Sequence, residues 1–388
     1  RIPNMIFYGP SGVGKTTVLK ALYKALDTTG RPRFQMALSG RATARMIEAT
    51  GEEARTIAGF LRKVDDKEMG QAPIIVIDEA SMLDLVTFYR LVQKLPAECQ
   101  VILVGDPYQL PPIGAGLILH VLCGMSGVPI TELIEVKRQA KDSSIPLASR
   151  QIRDGQLPTF SSNESDEVVF LPCSDEQIIP TVLKLYEQDS ENTQILSATR
   201  SCRFAGVDAL NRICHVQYGD HTRQLLAENQ ETGEVEATGL SVGDLVMYTA
   251  NDWARNLQNG SLGKLDEVFD KPRSVDLGDE NKPYFCTALG IATFEGVKHY
   301  ILNTDIDSLE LAYSITVHKA QGSQFRRVII PVRKSRILDR TFVYTAATRA
   351  QVQVVFVGEL DAVKEAVAMP PKAFSRQVGL RALLEAGQ

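Results

Sequence analysis

The feature that most constrains the fold is a glycine-rich stretch close to the start of the chain. Residues 9–16 read GPSGVGKT, directly after the apolar run 5–8 and directly before residues 17–22, whose apolar side chains recur at helical spacing. This order predicts a strand, a glycine loop and a helix, with backbone N–H groups at the start of the helix cradling phosphate groups. A glycine-rich structural turn is the alternative interpretation, but the flanking strand and helix favour a phosphate loop.

Individual residues of this loop have expected tasks. Lys15 is expected to reach the β- and γ-phosphates of a nucleotide, and the Thr16 hydroxyl is expected to hold Mg²⁺. The loop residues expected to bind the nucleotide are Gly9, Pro10, Ser11, Gly12, Val13, Gly14, Lys15, Thr16 and Thr17.

The composition bounds the class of protein. The chain has 388 residues, of which 44% are hydrophobic and 23% charged, as in soluble globular proteins of two or three domains. Since no apolar run approaches membrane-spanning length, we expect a cytoplasmic, intracellular protein without membrane contact. The six cysteines are scattered without a C-x-x-C pair, so we expect reduced thiols in a reducing compartment and neither a structural zinc site nor an iron–sulfur cluster.

The net charge of −5 by itself argues against a nucleic-acid partner. Net charge averages over the whole surface, however, and two arginine-rich stretches, 31–45 and 326–340, offer a locally basic groove. Either stretch taken alone is more typical of a solvated face.

Two further buried strands end in polar side chains. Residues 73–77 form a continuous apolar run typical of a buried parallel strand, and Asp78 and Glu79 follow it directly. Because carboxylates at the tip of a buried strand are costly without a task, we expect Asp78 to bind Mg²⁺ and Glu79 to orient and deprotonate the attacking water. A helix-capping acidic pair is the alternative. The next strand, 101–104, is followed by Gln109, which is a candidate sensor of a γ-phosphate.

Ser39 and Gly40 follow a short predicted strand, 33–38, at the carboxyl edge where ligands bind in parallel sheets. A helix N-cap is the other interpretation of Ser39. Residues 53–58 are expected to open a further short helix.

Five motifs in this order resemble the first RecA-like domain of a superfamily-one helicase. They are GPSGVGKT, LSGRA, TIAGFL, VIDEASMLD and LVGDPYQLPPIG, and their wording is most similar to that of RecD-like enzymes. Later stretches continue the resemblance to about residue 358. These are VKRQA at 136–140, ILSATR at 195–200, LAYSITVHKAQGSQF at 311–325 and VYTAATRA at 343–350.

The resemblance implies an α/β protein with two RecA-like P-loop domains, each with a parallel sheet, and a small β-barrel inserted in the second. The implied ranges are 1–133 for the first, ATP-binding domain, 134–240 together with 306–368 for the second domain, 241–305 for the insert and 369–388 for a C-terminal helical tail. Short strand candidates and the turn signal Asn259-Gly260 support the insert.

ATP, with its Mg²⁺, is then expected in the cleft between the two domains. The resemblance implies that Arg138 and Arg349 approach the γ-phosphate as arginine fingers when the cleft closes, and that Gly322 and Gln324 contact the nucleotide. Surface ion pairing is the alternative for both arginines. The implied catalytic residues are Lys15, Asp78, Glu79, Gln109, Arg138 and Arg349.

By the same resemblance, single-stranded DNA crosses the top of both domains and the protein moves along it 5′ to 3′. Hydroxyl and N–H contacts to its backbone are sequence-tolerant, and they distinguish DNA from RNA poorly, so RNA stays open as a track. Subunits of a recombination or repair complex are further expected partners. The implied nucleic-acid contacts are Ser39, Gly40, Arg41, Thr56, Thr199, Thr316 and His318.

Departures from the family pattern keep other hypotheses open. Residues 61–72 are short where relatives place a duplex-splitting hairpin, so translocation is better supported than strand separation. Gln324 stands where the family commonly has Glu, and Trp253 is expected either to fill the core or to stack on a base. The alternatives are a nucleic-acid-stimulated ATPase that translocates or remodels complexes without unwinding, and a P-loop ATPase without a nucleic-acid partner.

Overall fold

The described residues of the computed structural model form two parallel sheets and one antiparallel segment. The structure describes residues 4–10, 13–133, 143–228, 233–278 and 284–386. The first sheet comes first in the chain, and the antiparallel segment separates the two parts of the second sheet.

Alternating strands and helices build the first sheet. Its strands are β1 (Met5–Tyr8), β2 (Arg33–Ala37), β3 (Ala54–Thr56), β4 (Ile74–Ile77), β5 (Gln100–Gly105) and β6 (Ile130–Glu132). The helices of this part are α1 (Lys15–Leu26), α2 (Gly40–Thr50), α3 (Ile57–Lys63), α4 (Asp66–Met69), α5 (Leu85–Lys94) and α6 (Ile118–Cys123). Over the described part of the chain, this sheet has six strands in the order β3-β2-β4-β5-β1-β6, and each pair is parallel.

Helices cover both faces of the first sheet because its central strands are apolar on both sides. Ile75 and Ile77 of β4 pack on one face with side chains of α3 and α5. Val76 packs on the other face with side chains of α1 and α2. The order β4-β5-β1 places the carboxyl ends of these three strands side by side, so the segments that follow them share one edge of the sheet.

The segment 53–58 differs from the expected helix. The chain forms β3 at Ala54–Thr56 instead, and α3 begins at Ile57. Gln35 of β2 pairs with Ala54 of β3, so strand pairing at the sheet edge outweighs the helical preference of these residues.

The second sheet begins with a first part that lies before the antiparallel segment. This part contains α7 (Ser144–Arg153), β7 (Val168–Pro172), α8 (Asp175–Gln188), β8 (Thr193–Ser197) and α9 (Val207–Tyr218).

The antiparallel segment is defined here as residues 220–311. Its strands are β9 (Asp220–Glu228), β10 (Val235–Val242), β11 (Leu245–Tyr248), β12 (Leu262–Asp276), β13 (Phe285–Phe294), β14 (Val297–Leu302) and β15 (Leu309–Leu311). β9 and β10 form a hairpin, and the others form a sheet in the order β14-β13-β12-β11-β15. Leu225 and Leu240 of the hairpin share an apolar core with Leu265 and Leu289 of the sheet, so hairpin and sheet pack as one unit.

This segment is longer than the insert expected at 241–305. The expected start falls inside β10, and β15 lies beyond the expected end, where Leu311 pairs with Val246. The sequence hides β9 because Leu225 is its only buried residue. Among the described strands, backbone pairing leaves β14 and β15 as edges and does not close the sheet into the barrel that the resemblance implies.

The second part of the second sheet follows the antiparallel segment. It contains β16 (Ser314–Thr316), β17 (Phe325–Val332), α10 (Arg340–Ala347), β18 (Ala350–Gly358) and α11 (Leu360–Ala368). Within the described residues the completed sheet has five parallel strands in the order β16-β8-β17-β18-β7. The predicted α/β class, with two parallel sheets and a small β insert, is confirmed.

The tail after α11 returns to the first sheet. It contains α12 (Lys372–Ser375) and α13 (Leu380–Ala386), and its Ala373 is buried against Val121 and Met125 of the α6 region. Arg376 Nη1 donates to the carbonyl oxygen of Pro112 at 3.0 Å. The tail therefore links the end of the second sheet to the first. Short 3₁₀ turns lie at Asp27–Thr29, Ala80–Met82, Ser190–Asn192 and Asn303–Ser308.

Candidate functional site

The glycine loop leads into α1, of which Lys15 is the first residue. Gly14 directly before it has a φ of 87°, a backbone conformation that glycine adopts without strain. Lys15 Nζ donates to the carbonyl oxygens of Gly9 at 2.7 Å and Pro10 at 3.0 Å. These two acceptors hold the ammonium over the loop in which a phosphate group is expected.

Asp78 and Glu79 follow β4 at the same edge of the sheet. Asp78 Oδ1 accepts a hydrogen bond from the Glu79 backbone N–H at 2.8 Å. Burial raises the pKa of Asp78 to about 6, the charge of Glu79 adds to the rise, and the charge of Lys15 opposes it. Glu79 has a φ of 51°, which is uncommon for a residue other than glycine, and its side chain does not cap the following turn. Both observations argue against a helix-capping pair and for a functional one.

Gln109 and Arg349 join the two parallel sheets. Each is only 2% exposed, Gln109 in the loop after β5 and Arg349 directly before β18. Arg349 Nη2 donates to Gln109 Oε1 at 2.9 Å. Its Nη1 donates to the Ser323 carbonyl oxygen at 3.2 Å, and its Nε donates to that of Thr345 at 3.3 Å. Surface ion pairing, the alternative for Arg349, is therefore wrong.

A cavity of about 510 Å³ lies where these segments meet, between the first and second sheets. The predicted site residues that line it are Gly14, Lys15, Thr16, Thr17, Asp78, Glu79, Gln109, Gly322, Gln324 and Arg349. The other lining residues are Ala42, Arg45, Met46, Glu48, Ala49 and Gln351. One space thus collects ammonium, guanidinium, hydroxyl and carboxylate groups from both sheets.

Some predicted nucleotide contacts are not among the lining residues. Val13 is buried in the loop at 5% exposure. Ser11, Gly12 and Arg138 lie outside the described residues.

The groups in the cavity suit a nucleotide with a divalent cation. The Thr16 hydroxyl and the Asp78 carboxylate are oxygen ligands of the kind that Mg²⁺ takes together with phosphate oxygens. Asp78 and Glu79 place two carboxylates in this space. The raised pKa of Asp78 means that burial and the neighbouring carboxylate disfavour its ionised form. A cation bound beside Asp78 would favour that charge.

The four predicted nucleic-acid contacts with hydroxyl groups lie at or just after the carboxyl ends of β2, β3, β8 and β16. Ser39 Oγ accepts from Ala42 N at 3.3 Å, Thr56 Oγ1 from Gly59 N at 3.0 Å, and Thr316 Oγ1 from Lys319 N at 3.3 Å. The helix N-cap interpretation of Ser39 is therefore correct. Each hydroxyl still has its proton to donate, because in these bonds it only accepts.

Gly40 and Arg41 contact the antiparallel segment and not an open surface. Gln258 packs against Gly40 so closely that a Cβ there would lie 1.0 Å from its Oε1. Arg41 Nε lies 3.2 Å from a carboxylate oxygen of Glu295, at the turn between β13 and β14. Arg41 Nη1 and Gln258 Oε1 are buried without a hydrogen-bond partner within the described residues. In this conformation the predicted role of Gly40 and Arg41 requires the antiparallel segment to move.

Trp253 and His318 complete the predicted set. Trp253 is half-buried in the loop between β11 and β12, and the Arg62 guanidinium of α3 lies 5.7 Å from the centre of its ring. Trp253 therefore neither fills the core nor stands free. His318 is half-buried, and burial lowers the pKa of its imidazole.

Among the described residues, no helix is long and apolar enough to cross a membrane. No group of three or more His, Cys, Asp or Glu side chains there could hold a metal ion.

Comparison with known proteins adds family matches. Residues 4–169 match the family model described as an AAA domain, and residues 311–357 match the model of the UvrD-like helicase C-terminal domain. The ATP-dependent RecD2 DNA helicase of Deinococcus radiodurans is 26% identical over 377 residues, which cover 95% of this chain and 49% of that protein. The RecBCD enzyme subunit RecD of Mycolicibacterium smegmatis is 28% identical over 425 residues, which cover 97% of this chain and 71% of that protein.

By these matches the chain is similar to RecD-like helicases of superfamily one. It spans about half the length of the Deinococcus relative. Solved Pif1 structures share the fold of this chain. The TM-score is 0.57 with Pif1 helicase from Candida albicans, at 19% identity over 100% of this chain and 96% of that one. It is 0.55 with Bacteroides Pif1 bound to single-stranded DNA, at 18% identity over 100% of this chain and 95% of that one.

Three further residues at or beside the cavity, Arg45, Asp106 and Tyr344, were not predicted as site residues from the sequence. Arg45 lines the cavity, and its Nη1 donates to the Gly322 carbonyl oxygen at 2.7 Å, across the two sheets. Asp106 lies at the tip of a buried strand, and the argument applied to Asp78 would have found it. Tyr344 carries no such local signal, because its contact with Asp106 joins residues that are far apart in sequence.

Proposed function

We propose that the chain is an ATP-dependent DNA helicase that hydrolyses ATP in the cavity and moves 5′ to 3′ along single-stranded DNA. The observation that carries this proposal is that Lys15 from the first sheet and Arg349 from the second line the same cavity. A nucleotide there would contact both sheets, so its hydrolysis would change how the sheets hold together. That coupling is what a motor needs.

Each lining residue has a role in this reaction. Lys15 offsets the charge of the phosphates, Glu79 orients and deprotonates the attacking water, and Arg349 stabilises the charge that develops on the γ-phosphoryl group. Gln109 holds the Arg349 guanidinium at that position. Mg²⁺, held by Thr16 and Asp78, would supply charge neutralisation at the phosphate oxygens. We assign Arg138 the role of a second arginine finger on the resemblance alone.

The proposed track runs over the carboxyl ends of both sheets. Ser39, Thr56, Thr199 and Thr316 would donate hydroxyl protons to phosphate oxygens along it. The names of the relatives support this part of the proposal, since one is an ATP-dependent RecD2 DNA helicase and one structural neighbour is bound to single-stranded DNA. RNA is the alternative track, since these contacts do not read the 2′-hydroxyl.

Partners and location follow from the same proposal. The mycobacterial relatives are named as subunits of RecBCD, which supports assembly into a recombination or repair complex. We place the protein in the cytoplasm because its proposed substrates, ATP and DNA, are found there. Its six cysteines are all free thiols, in keeping with a reducing compartment.

A second candidate function is translocation or remodelling without unwinding. The observation that favours it is the segment 61–72, where the structure has the end of α3 and the four-residue α4 in place of a strand hairpin. The chain then lacks an evident wedge in this position to split a duplex.

Steady-state ATP hydrolysis with and without single-stranded oligonucleotides, DNA and RNA in parallel, tests the motor. Glu79→Gln is the inactive control, because it keeps the size of the side chain and removes the base. We expect stimulation by DNA of at least about tenfold that Glu79→Gln abolishes. Turnover that neither strand changes would overturn the proposal.

Strand separation is tested on duplexes with either a 5′ or a 3′ overhang. The helicase proposal expects unwinding from the 5′ overhang alone. DNA-stimulated turnover that leaves both duplexes intact would support the second candidate function and reject the first.

A further inference from the structure

A buried carboxylate, that of Asp106, lies beside the proposed site without lining it. Asp106 directly follows β5 and is 1% exposed. Its Oδ1 accepts from the Tyr108 backbone N–H at 3.0 Å, and its Oδ2 accepts from the Tyr344 hydroxyl at 2.6 Å. Tyr344 belongs to α10 of the second part and is also 1% exposed. The pair is thus a buried, charge-assisted hydrogen bond that joins the two sheets.

Asp106 also sets the orientation of Gln109. The Gln109 amide donates from Nε2 to Asp106 Oδ2 at 3.4 Å, and it accepts at Oε1 from Arg349 Nη2 at 2.9 Å. An ionised carboxylate only accepts and a guanidinium only donates, so one orientation of the amide satisfies both neighbours. With its nitrogen towards Asp106, the amide has to turn its oxygen towards Arg349.

These contacts form a ring through both sheets. It runs from Tyr344 to Asp106, to Gln109 and to Arg349, and α10 with the turn after it connects Arg349 back to Tyr344. Of the four side chains, those of Gln109 and Arg349 are among the described residues that line the cavity, and those of Asp106 and Tyr344 are not. The hydrogen bonds by which Asp106 and Tyr344 can act on a bound nucleotide therefore pass through the other two.

We propose that Asp106 and Tyr344 are positioning residues that hold Gln109 and Arg349 in the orientation needed for ATP hydrolysis and link that orientation to α10. This role rests on the proposed function. A change at the γ-phosphate that moves Arg349 or Gln109 reaches α10 through a second connection, the Tyr344 hydroxyl, as well as through the backbone. In this proposal α10 and Arg349 of the second sheet move together when the nucleotide changes.

The loop that carries Asp106 has further anchors, which makes the pair testable. Thr345 Oγ1 accepts from Leu110 N at 3.0 Å, and Gln321 Nε2 donates to the Leu110 carbonyl oxygen at 3.2 Å. Removing the Tyr344 hydroxyl leaves these bonds in place. We therefore expect Tyr344→Phe to fold and to keep the two sheets together.

The chain offers a matched control. Tyr313 is 2% exposed and donates its hydroxyl to Asp244, which is 0% exposed, at 2.8 Å. Tyr313→Phe removes the same kind of bond, but this bond lies outside the cavity and joins the second sheet to the antiparallel segment. If only the loss of a buried hydrogen bond matters, the two variants should show equal changes in melting temperature and in ATP hydrolysis.

The experiment measures ATP hydrolysis with single-stranded DNA and the melting temperature of wild type, Tyr344→Phe and Tyr313→Phe. We expect Tyr344→Phe to lower kcat by about tenfold or more with the KM for ATP within about twofold, because the lost contact acts on the transition state and not on binding. Tyr313→Phe should keep kcat within about twofold at a similar fall in melting temperature.

A second comparison uses the Gln109→Ala background. If Tyr344 acts through Gln109, adding Tyr344→Phe to Gln109→Ala should change kcat by less than about twofold. Equal activity losses in Tyr344→Phe and Tyr313→Phe, or a full tenfold loss in the Gln109→Ala background, would overturn the positioning role alone. A wild type that hydrolyses no ATP with either nucleic acid would overturn the proposed function and the role together.

Discussion

Arg41 of α2 and Glu295 of the β13–β14 turn form an ion pair, with 3.2 Å between Arg41 Nε and the carboxylate oxygen, across the boundary between the first sheet and the antiparallel segment. Arg41 is a predicted nucleic-acid contact, and this pairing occupies it. The ion pair is partly exposed on the side of Glu295, so we expect it to contribute no more than about 1 kcal/mol.

Glu295→Gln should therefore increase the affinity for single-stranded DNA, up to about fivefold, because it releases Arg41 from its acidic partner. Fluorescence anisotropy with a labelled oligonucleotide at fixed salt measures the Kd. Asp270→Asn is the control, since it removes the same charge from an exposed position of β12. Equal tightening by both substitutions would assign the effect to net charge, and no tightening by Glu295→Gln would mean that Arg41 does not bind DNA.

Arg349→Ala should lower the kcat of DNA-stimulated ATP hydrolysis by about 10³-fold, which is the lower end of the effect of an arginine finger. Arg349→Lys should also be severely impaired, because an ammonium cannot bond Gln109, Ser323 and Thr345 from one planar group. Arg326→Ala, at an exposed position of β17, is the control for loss of a nearby positive charge. Residual activity of Arg349→Ala above about a tenth of wild type would contradict the assignment.

Trp253 gives this chain a built-in reporter, because it is the single tryptophan. Its ring packs near the Arg62 guanidinium of α3, which covers the first sheet, so movement of the antiparallel segment would change the surroundings of the indole. We expect saturating single-stranded DNA to change the Trp253 emission and Arg62→Ala to reduce that change. Binding seen by anisotropy without any change in emission would show that the segment stays against α3.

His120 of α6 should make stability fall in mild acid. Burial lowers the pKa of His120 to about 4, and the charge of Arg376 in the tail acts in the same direction. The backbone carbonyl of Pro107 raises this pKa, but by less than burial lowers it. As pH falls below about 6.5, the imidazole takes up a proton in the unfolded chain but not in the folded one. Stability is therefore unaffected above pH 6.5 and falls by up to about 3 kcal/mol towards pH 4.

Urea unfolding of wild type and His120→Gln at pH 7 and pH 5 measures this effect. The difference in unfolding free energy between the two pH values should be smaller in the variant, because glutamine does not titrate. An equal pH dependence in the two proteins would show that other groups cause it.

The parts of the site that could be predicted are those encoded by contiguous residues. The glycine loop and the Asp78-Glu79 pair each combine a buried strand with the polar residues that follow it, and a strand of β-branched residues is readily recognised in sequence. Gln109 was predicted from its position after a buried strand, and Arg349 was predicted from the resemblance, since an arginine is not informative by itself. That these groups share one edge follows from the strand order, which the sequence pattern does not specify.

The parts that could not be predicted depend on contacts between distant segments. β3 forms because β2 provides an edge for it, and β9 has only Leu225 to indicate a buried face. The pairing of Gly40 and Arg41 with the antiparallel segment depends on how that segment packs against α2. Hydrophobic periodicity reports which face of an element is buried, but not which element covers it.

The return of the tail to α6 has a consequence for how the chain is made. Val121 and Met125 of the α6 region are synthesised before Ala373, which covers them and follows only after the second sheet and the antiparallel segment. At ~5–20 residues per second, this apolar surface stays uncovered on the ribosome for on the order of 10–50 s. Nascent and prematurely terminated chains thus expose an apolar surface that is buried once the tail has docked. A chaperone or protease that binds this surface could distinguish chains that lack the tail from chains that carry it.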